Sequence, residues 1–169
     1  MHVFEISARI LRPFFYALEL FSDVGDLVAR IWIGHVFFIS ALSKLTDWNT
    51  TLVLFKYVYS TPMISPTIAA YLGTAAEIVF PILLVLGLGG RFFVFLFFIY
   101  NIVCVLSYHF LWTPVGSAGL DDHILWGLVL MLLMFHGLGR ISLDYLIHRK
   151  FGFLIPPSFN KDGSLNGFK

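Results

Sequence analysis

Residues 68–88 read IAAYLGTAAEIVFPILLVLGL, an apolar run interrupted by one carboxylate, Glu77. About 20 apolar residues cross the hydrocarbon core of a bilayer as a helix, so Glu77 is predicted to lie near the midplane. An ionisable side chain at that depth is costly unless it is neutral, paired or hydrated. Pro81 has no N–H to donate to the carbonyl of Glu77, so a helix kink is expected at the same depth. The run therefore predicts a membrane span with a carboxylate that has a function or a partner.

The composition of the chain is that of an integral membrane protein with one domain. Of its 169 residues, 59% are hydrophobic and 12% are charged, and the mean hydropathy is +0.87. Soluble proteins average about half apolar and about a quarter charged residues. A net charge of +1 without a basic tract argues against a nucleic-acid partner. The lone cysteine, Cys104, disfavours thiol–disulfide chemistry and is predicted to be a packed, inert residue.

Four stretches have the length and hydropathy of membrane-spanning helices: residues 26–45, 67–88, 92–112 and 122–139. Segments rich in Gly, Pro and Ser separate them, as expected for turns. Open strands cannot span lipid because their backbone groups would stay unpaired. The sequence therefore predicts an all-α integral membrane four-helix bundle.

The ends of the chain are predicted to lie outside this bundle. Charged residues interrupt residues 1–22, and the apolar positions recur at helical spacing: Ile10, Phe14, Leu18 and Phe21. This pattern predicts an N-terminal amphipathic helix on the membrane surface, with a helix packed against the bundle end as the alternative. The predicted division is an interfacial segment at 1–22, a transmembrane domain at 23–147 and a cytoplasmic tail at 148–169.

The distribution of basic residues predicts the orientation in the membrane. Four spans place both termini on one side, and that side carries most of the Lys and Arg residues: Arg9, Arg12, Arg30, Arg91, Arg140, Arg149, Lys150, Lys161 and Lys169. The opposite side carries only Lys44 and Lys56. The positive-inside rule then predicts that both termini are cytoplasmic.

Helical geometry assigns a face and a depth to each polar side chain. On the first span one face is shared by five residues: Arg30, Gly34, Phe37, Ala41 and Lys44. Gly34 should allow close approach of a neighbouring helix. His35 lies on a different face, where a helix–helix hydrogen bond is expected.

The polar residues fall into layers. Asn101 on the third span shares the midplane layer with Glu77, and a further group is predicted near the outer leaflet: Lys44, Tyr108, His109, Asp122 and His123. By reach, the expected ionic partner of Glu77 is Arg30 or Lys44, and Asn101 is its expected hydrogen-bond neighbour.

Several short patterns resemble the DoxX family of small bacterial membrane proteins. They are Arg30-x3-Gly34-x3-Phe38 with Lys44-Leu45; Ala76-Glu77 followed by Leu86-Gly87-Leu88 and Arg91; and the Gly-x-Gly-x-x-Ser-x-Asp ending at residues 137–144. The resemblance covers residues 27–146. It implies a four-helix bundle in the bacterial inner membrane. Family members include a membrane subunit of thiosulfate:quinone oxidoreductase, components of oxidative-stress complexes and proteins similar to partners of copper-responsive peptide-modification systems.

This resemblance and the polar layers favour a quinone-linked redox subunit, and so an oxidoreductase component. Glu77 is the candidate catalytic, proton-active group. The candidate binding residues are Arg30, Lys44, Asn101, Tyr108, His109 and His123. Quinone is the expected cofactor, and no nucleotide or flavin motif is present, so electrons would come from a partner or from the substrate. A protein partner or a homo-oligomer is expected in addition to the lipid bilayer.

Two other functions remain open at this stage. In the first, the chain is a non-enzymatic membrane partner or a transporter-like protein, and Glu77 forms a structural ion pair. In the second, His109 and His123 ligate copper, iron or haem, which is the weaker hypothesis because no fixed ligand spacing supports it.

Overall fold

The computed structural model of the protein describes residues 2–151, except for the side chains of residues 2–11, 19, 20 and 151. Within this part the chain forms six α-helices and one short 3-10 helix: α1 (His2–Thr46), α2 (Trp48–Tyr57), α3 (Pro66–Leu86), α4 (Gly90–Ser107), the 3-10 helix His109–Trp112, α5 (Ser117–His136) and α6 (Leu143–Phe151). Four segments are long and apolar enough to span a bilayer: Arg12–Thr46, Pro66–Leu86, Gly90–Ser107 and Ser117–His136. The predicted all-α membrane bundle is confirmed.

The boundaries of the helices differ from the predicted ones at several places, and three of these differences change the architecture. α1 runs without a break across residue 22, so the N-terminal segment and the first span form one helix. A helix, α2, occupies much of the predicted connection 46–66, because Asp47 caps its first turn by accepting the N–H of Thr50 at 3.0 Å. α4 ends at Ser107, five residues before the predicted end of the span at 112, and the chain continues as the 3-10 helix.

Local sequence signals explain the ends of α3. At its start, Ser65 accepts a hydrogen bond from the N–H of Ile68, and Pro66 occupies the first turn. At its end, Gly87 adopts the left-handed conformation, with φ of +67°. The N–H groups of Gly87 and Leu88 then bond to the last carbonyls of the helix. Both ends of the span that carries Glu77 are therefore fixed.

Gly34 brings α1 and α3 into close contact, as its position predicted. A Cβ atom at this residue would lie 2.6 Å from Cγ2 of Val85 and 3.5 Å from the carbonyl oxygen of Pro81. The predicted face of α1 is the one that packs inward: Arg30, Phe37 and Ala41 are buried and Lys44 is half-buried. This packing aligns the polar residues of α1 with those of α3.

The apolar core lies between the pair α1–α3 and the pair α4–α5. It is centred on Phe37 and Phe97, whose rings meet edge to face with centroids 4.8 Å apart. Large apolar side chains such as Phe95, Ile99 and Leu132 face outward on the spans. Such an exterior suits a bilayer, where outward-facing apolar side chains contact lipid.

The two ends of the bundle are closed differently. One end, here called the turn end, is formed by residues 87–90 and 137–144, where the Asp144 N–H donates to the Gly87 carbonyl and the Asp144 carboxylate accepts the Gly89 N–H. The other, called the α2 end, carries α2 and the 3-10 helix. There the N–H of Ser60 donates to the carbonyl of Ser107 at 2.8 Å, which ties the α2–α3 connection to α4.

Replacing Gly34 by Leu should destabilise the bundle, because the added side chain must separate α1 from α3. Overpacking of this kind costs about 1–3 kcal/mol. Gly25→Leu on the same helix is the matched control, since no atom lies within 4 Å of a Cβ built at Gly25. We expect a lower apparent Tm in detergent for Gly34→Leu and an unchanged one for Gly25→Leu. Equal shifts for the two variants would contradict the close contact at Gly34.

Candidate functional site

Glu77 is the centre of a polar group inside the bundle, which we call the carboxylate cluster: Ser40, Lys44, Glu77 and Tyr100. Glu77 is 5% exposed, and its Oε2 atom forms an ion pair with Nζ of Lys44. Nζ of Lys44 also donates to Oγ of Ser40 at 2.9 Å. The hydroxyl of Tyr100 lies 3.2 Å from Oε1 of Glu77. The carboxylate therefore has a partner on each oxygen, and the cluster joins α1, α3 and α4.

Lys44 reaches this cluster from the α2 end of α1. Its backbone lies near the end of the helix at Thr46, whereas Glu77 lies close to the middle of α3. A lysine near a helix end in a membrane usually extends its apolar stem toward the nearby surface. The ammonium of Lys44 instead meets Glu77 in the interior. The attraction of the carboxylate thus determines the direction of this side chain.

Tyr100 has one hydroxyl proton and two acceptors within reach. Its oxygen lies 3.0 Å from the carbonyl oxygen of Gly73 and 3.2 Å from Oε1 of Glu77. A tyrosine hydroxyl can both donate and accept, so it can exchange its partner by rotation of the O–H bond. The single hydroxyl proton can therefore bond either to the Gly73 carbonyl or to the Glu77 carboxylate.

Asn101 does not contact Glu77, although the two residues were predicted to be neighbours. Successive helical residues are rotated by about 100°, so Tyr100 faces α3 whereas Asn101 faces α5. Nδ2 of Asn101 donates to the carbonyl oxygen of His123 at 3.0 Å, and Oδ1 of Asn101 lies 2.8 Å from Nδ1 of His123. We call these two residues the amide–imidazole pair.

The hydrogen bonds of this pair determine the tautomer of His123. Because Nδ2 of Asn101 donates to a carbonyl, Oδ1 must accept, and Nδ1 of His123 must carry the proton. Nε2 is then the acceptor nitrogen of the neutral ring. Gly127 makes room for the amide, since a Cβ at Gly127 would lie 3.2 Å from Nδ2 of Asn101. The ring of Trp126 packs edge to face against His123, with centroids 4.6 Å apart.

Tyr108 lies at the α2 end as predicted, but its contacts there are aromatic. Its ring packs edge to face with Tyr59, with centroids 5.1 Å apart, and stacks on Phe110. Burial raises the pKa of the Tyr59 phenol, and the neighbouring Tyr108 raises it further. This aromatic group covers the end of α4.

His109 and His123 lie in different environments. His109 begins the 3-10 helix and is exposed, whereas His123 is half-buried on α5 and bonded to Asn101. Among the described residues, no group of three or more His, Cys, Asp or Glu side chains is arranged to hold a metal ion. The arrangement of His109 and His123 gives no further support to a metal site formed by these two histidines.

Arg30 lies at the turn end, away from Glu77. It is fully buried, and its guanidinium donates to the carbonyl oxygens of Val85 at 3.2 Å and of Ile141, with a longer contact to Leu84. These carbonyls belong to the last turn of α3 and to the turn before α6. Arg30 therefore caps α3 and holds residues 137–144 against it, which is the role of a structural residue.

His35 is exposed on the outer face of α1, beside Trp32 and Ile39. The helix–helix hydrogen bond predicted for it is not formed among the described residues.

The sequence pattern did not single out two members of the carboxylate cluster, although each has a signal. Ser40 lies four residues before Lys44, the spacing that brings side chains together on a helix. Tyr100 lies three residues after Phe97 and four before Cys104, on one stripe of α4. Its phenol is hard to distinguish from the surrounding apolar run, because tyrosine has an apolar ring and only a polar tip.

Comparison with known proteins identifies a family. The family model of DoxX matches residues 25–110, just over half of the chain. The matched region contains Arg30, the whole carboxylate cluster and Asn101, whereas α5 and residues 137–144 lie beyond it. No curated protein and no solved structure matched the chain.

Replacing Asn101 by Leu should leave the Nδ1–H group of His123 without a partner. Loss of a buried hydrogen-bond partner costs about 1–3 kcal/mol, so the apparent Tm should fall. Ile102→Leu, an exposed neighbour on the same helix, is the control and should match the unsubstituted protein. Nitrogen-15 NMR of the histidine side chains should show His123 protonated on Nδ1 before the substitution. Protonation on Nε2 instead would contradict the assigned hydrogen bonds.

Proposed function

The chain belongs to the DoxX family, and from this premise we propose that it is the membrane subunit of a quinone-linked redox system in which Glu77 is the proton-active group. The observation that carries the proposal is the carboxylate cluster, an ionisable pair bonded to a tyrosine inside a membrane-spanning bundle. Ionisable residues within membrane spans commonly mark proton or substrate pathways.

Quinone reduction needs both electrons and protons, and a partner protein and this chain can each supply one of them. Converting a quinone to a quinol consumes two electrons and two protons, and the quinone reaches the protein from the bilayer. In this proposal a partner protein supplies the electrons, and the carboxylate cluster supplies protons on the membrane side. The Lys44–Glu77 ion pair and the corresponding neutral amine–acid pair differ only by one proton moved along one hydrogen bond. Positioned groups of this kind serve as general acids and bases.

The amide–imidazole pair is a second proton-active group in the proposal. His123 is held by Asn101 through Nδ1, which leaves Nε2 as the atom that accepts or releases a proton. Tyr100 and Asn101 are consecutive residues, so the two groups lie on adjacent faces of α4. Together they place exchangeable protons on both the α3 side and the α5 side of this helix.

The proposed location is the bacterial inner membrane, with the turn end in the cytoplasm. Arg91 and Arg140 lie at the turn end, and Arg149 and Lys150 lie on α6 beside it. Lys44 points into the bundle, and Lys56 is the exposed lysine of α2 at the opposite end. The positive-inside rule favours this orientation.

A second candidate function has its own supporting observation. Both oxygens of Glu77 are engaged by the protein, and the cluster connects three helices. In this alternative the ion pair only holds the bundle together, and the chain is a non-enzymatic membrane partner.

A double substitution, Lys44→Met with Glu77→Leu, separates these two functions. Replacing a buried ion pair by apolar residues of similar size is often neutral or stabilising, so the bundle should fold normally. If Glu77 is proton-active, reduction of ubiquinone-1 by the complex isolated in mild detergent should fall about a hundredfold or more, because general acid–base catalysis contributes about 10²–10⁴-fold. Normal turnover in the folded double variant would rule out the proton-active role and support the structural one.

The single substitution Glu77→Leu is the matched control for folding. It leaves the ammonium of Lys44 buried without a counter-ion, and breaking a buried pair in this way costs about 3–5 kcal/mol. We therefore expect a lower apparent Tm for the single variant than for the double variant. A higher apparent Tm for the single variant than for the double variant would mean that Lys44 and Glu77 are not coupled.

A further inference from the structure

We propose that a groove on the outside of the α1–α3 contact is the binding site for the head group of a quinone. The inference rests on the proposed function and gives it a location. The groove has a volume of about 380 Å³ and is lined by Leu45, Trp48, Tyr71, Thr74, Ala75 and Ile78. It lies where α1 ends, α2 begins and the first half of α3 passes. Its size is within the range of small-molecule sites, about 300–1,000 Å³.

Thr74 supplies the polar atom that such a site needs. Its side chain is 4% exposed, and its hydroxyl has no hydrogen-bond partner among the described residues. A threonine within a helix commonly bonds its hydroxyl to a carbonyl three or four residues earlier, and its side chain alternates between two rotamers. An unpaired hydroxyl in an apolar setting is costly. Rotation about one bond would direct the hydroxyl of Thr74 into the groove. There it could donate a hydrogen bond to a carbonyl oxygen of the ligand.

Aromatic rings form the wall at the membrane-surface side. The rings of Trp48 and Tyr71 are tilted against each other, with centroids 4.7 Å apart. Flat aromatic walls suit a planar ring, and the exposed Ala75 leaves space beside them. A saturated acyl chain is neither planar nor able to accept a hydrogen bond. The unpaired hydroxyl and the aromatic wall therefore favour a quinone over a phospholipid tail as the occupant.

The groove also lies next to the proposed proton source. Thr74 precedes Glu77 by three residues on α3, and Leu45 follows Lys44 on α1. Residues three apart share one face of a helix, so the groove and the carboxylate cluster lie next to each other along the α1–α3 contact, about one helical turn apart. A quinone in the groove would therefore bind close to the cluster.

The test is photolabelling of the full chain in nanodiscs with a diazirine-bearing short-chain ubiquinone. We expect label on residues 71–78, displaced by excess ubiquinone-2. Thr74→Val, which removes only the hydroxyl, should weaken binding about threefold to tenfold without lowering the apparent Tm, because one hydrogen bond is lost and an unpaired hydroxyl is removed. Ala75→Trp should fill the groove and abolish the label. Val79→Trp is the control, since Val79 is exposed on α3 and does not line the groove.

Three results would overturn the inference: label confined to residues outside 45–48 and 71–78, label that persists in Ala75→Trp, or no specific label at all. A diazirine-bearing palmitate is run in parallel, and if it labels the groove and resists ubiquinone-2, the groove binds lipid tails. Quinone turnover is measured separately from labelling. If the groove binds quinone but the complex has no redox activity, this inference stands and the proposed function fails. If quinone turnover persists after Ala75→Trp fills the groove, the proposed function stands and this inference fails.

Discussion

The ion pair between Lys44 and Glu77 is the constraint on which the interior of the bundle depends. Neither charge is tolerable alone in a hydrocarbon environment, and each is acceptable because the other is present. Lys44 extends inward from near the end of α1 rather than toward the closer surface, so the pair fixes the register of α1 against α3. Tyr100 extends the same network to α4. Any function that uses Glu77 therefore also acts on the contacts that hold three helices together.

The residues that carry the family resemblance separate into two groups with different physical roles. Arg30, Gly87 and Asp144 close the turn end: the guanidinium caps the last carbonyls of α3, Gly87 adopts a left-handed conformation, and Asp144 bonds to the turn before α4. A Cβ at Gly87 would lie 2.6 Å from Nη1 of Arg30, so the glycine and the arginine require each other. Lys44 and Glu77 form the second group, within the bundle. The first group closes the turn end of the bundle, and the second forms the candidate functional site.

The sequence predicted the spans and the inward face of α1 because hydropathy and helical periodicity are local properties. It also predicted Lys44 as one of two possible partners of Glu77. It could not decide between Lys44 and Arg30, because that choice depends on how far α1 slides along α3. Asn101 was assigned to the wrong neighbour for a similar reason: depth follows from counting residues, but the facing helix depends on the rotation of α4. The groove beside Thr74 had no sequence signal, since three separate segments form it.

The most direct test of the ion pair is a solid-state NMR distance measurement in lipid bilayers. The protein is labelled with nitrogen-15 at the lysine Nζ atoms and carbon-13 at the glutamate carboxyl groups, and the dipolar coupling between the two is recorded. A buried pair predicts strong dephasing of one glutamate signal by a lysine nitrogen, and the loss of that dephasing in Lys44→Met. Absence of any such coupling in the folded, unsubstituted protein would contradict the pairing of Lys44 with Glu77.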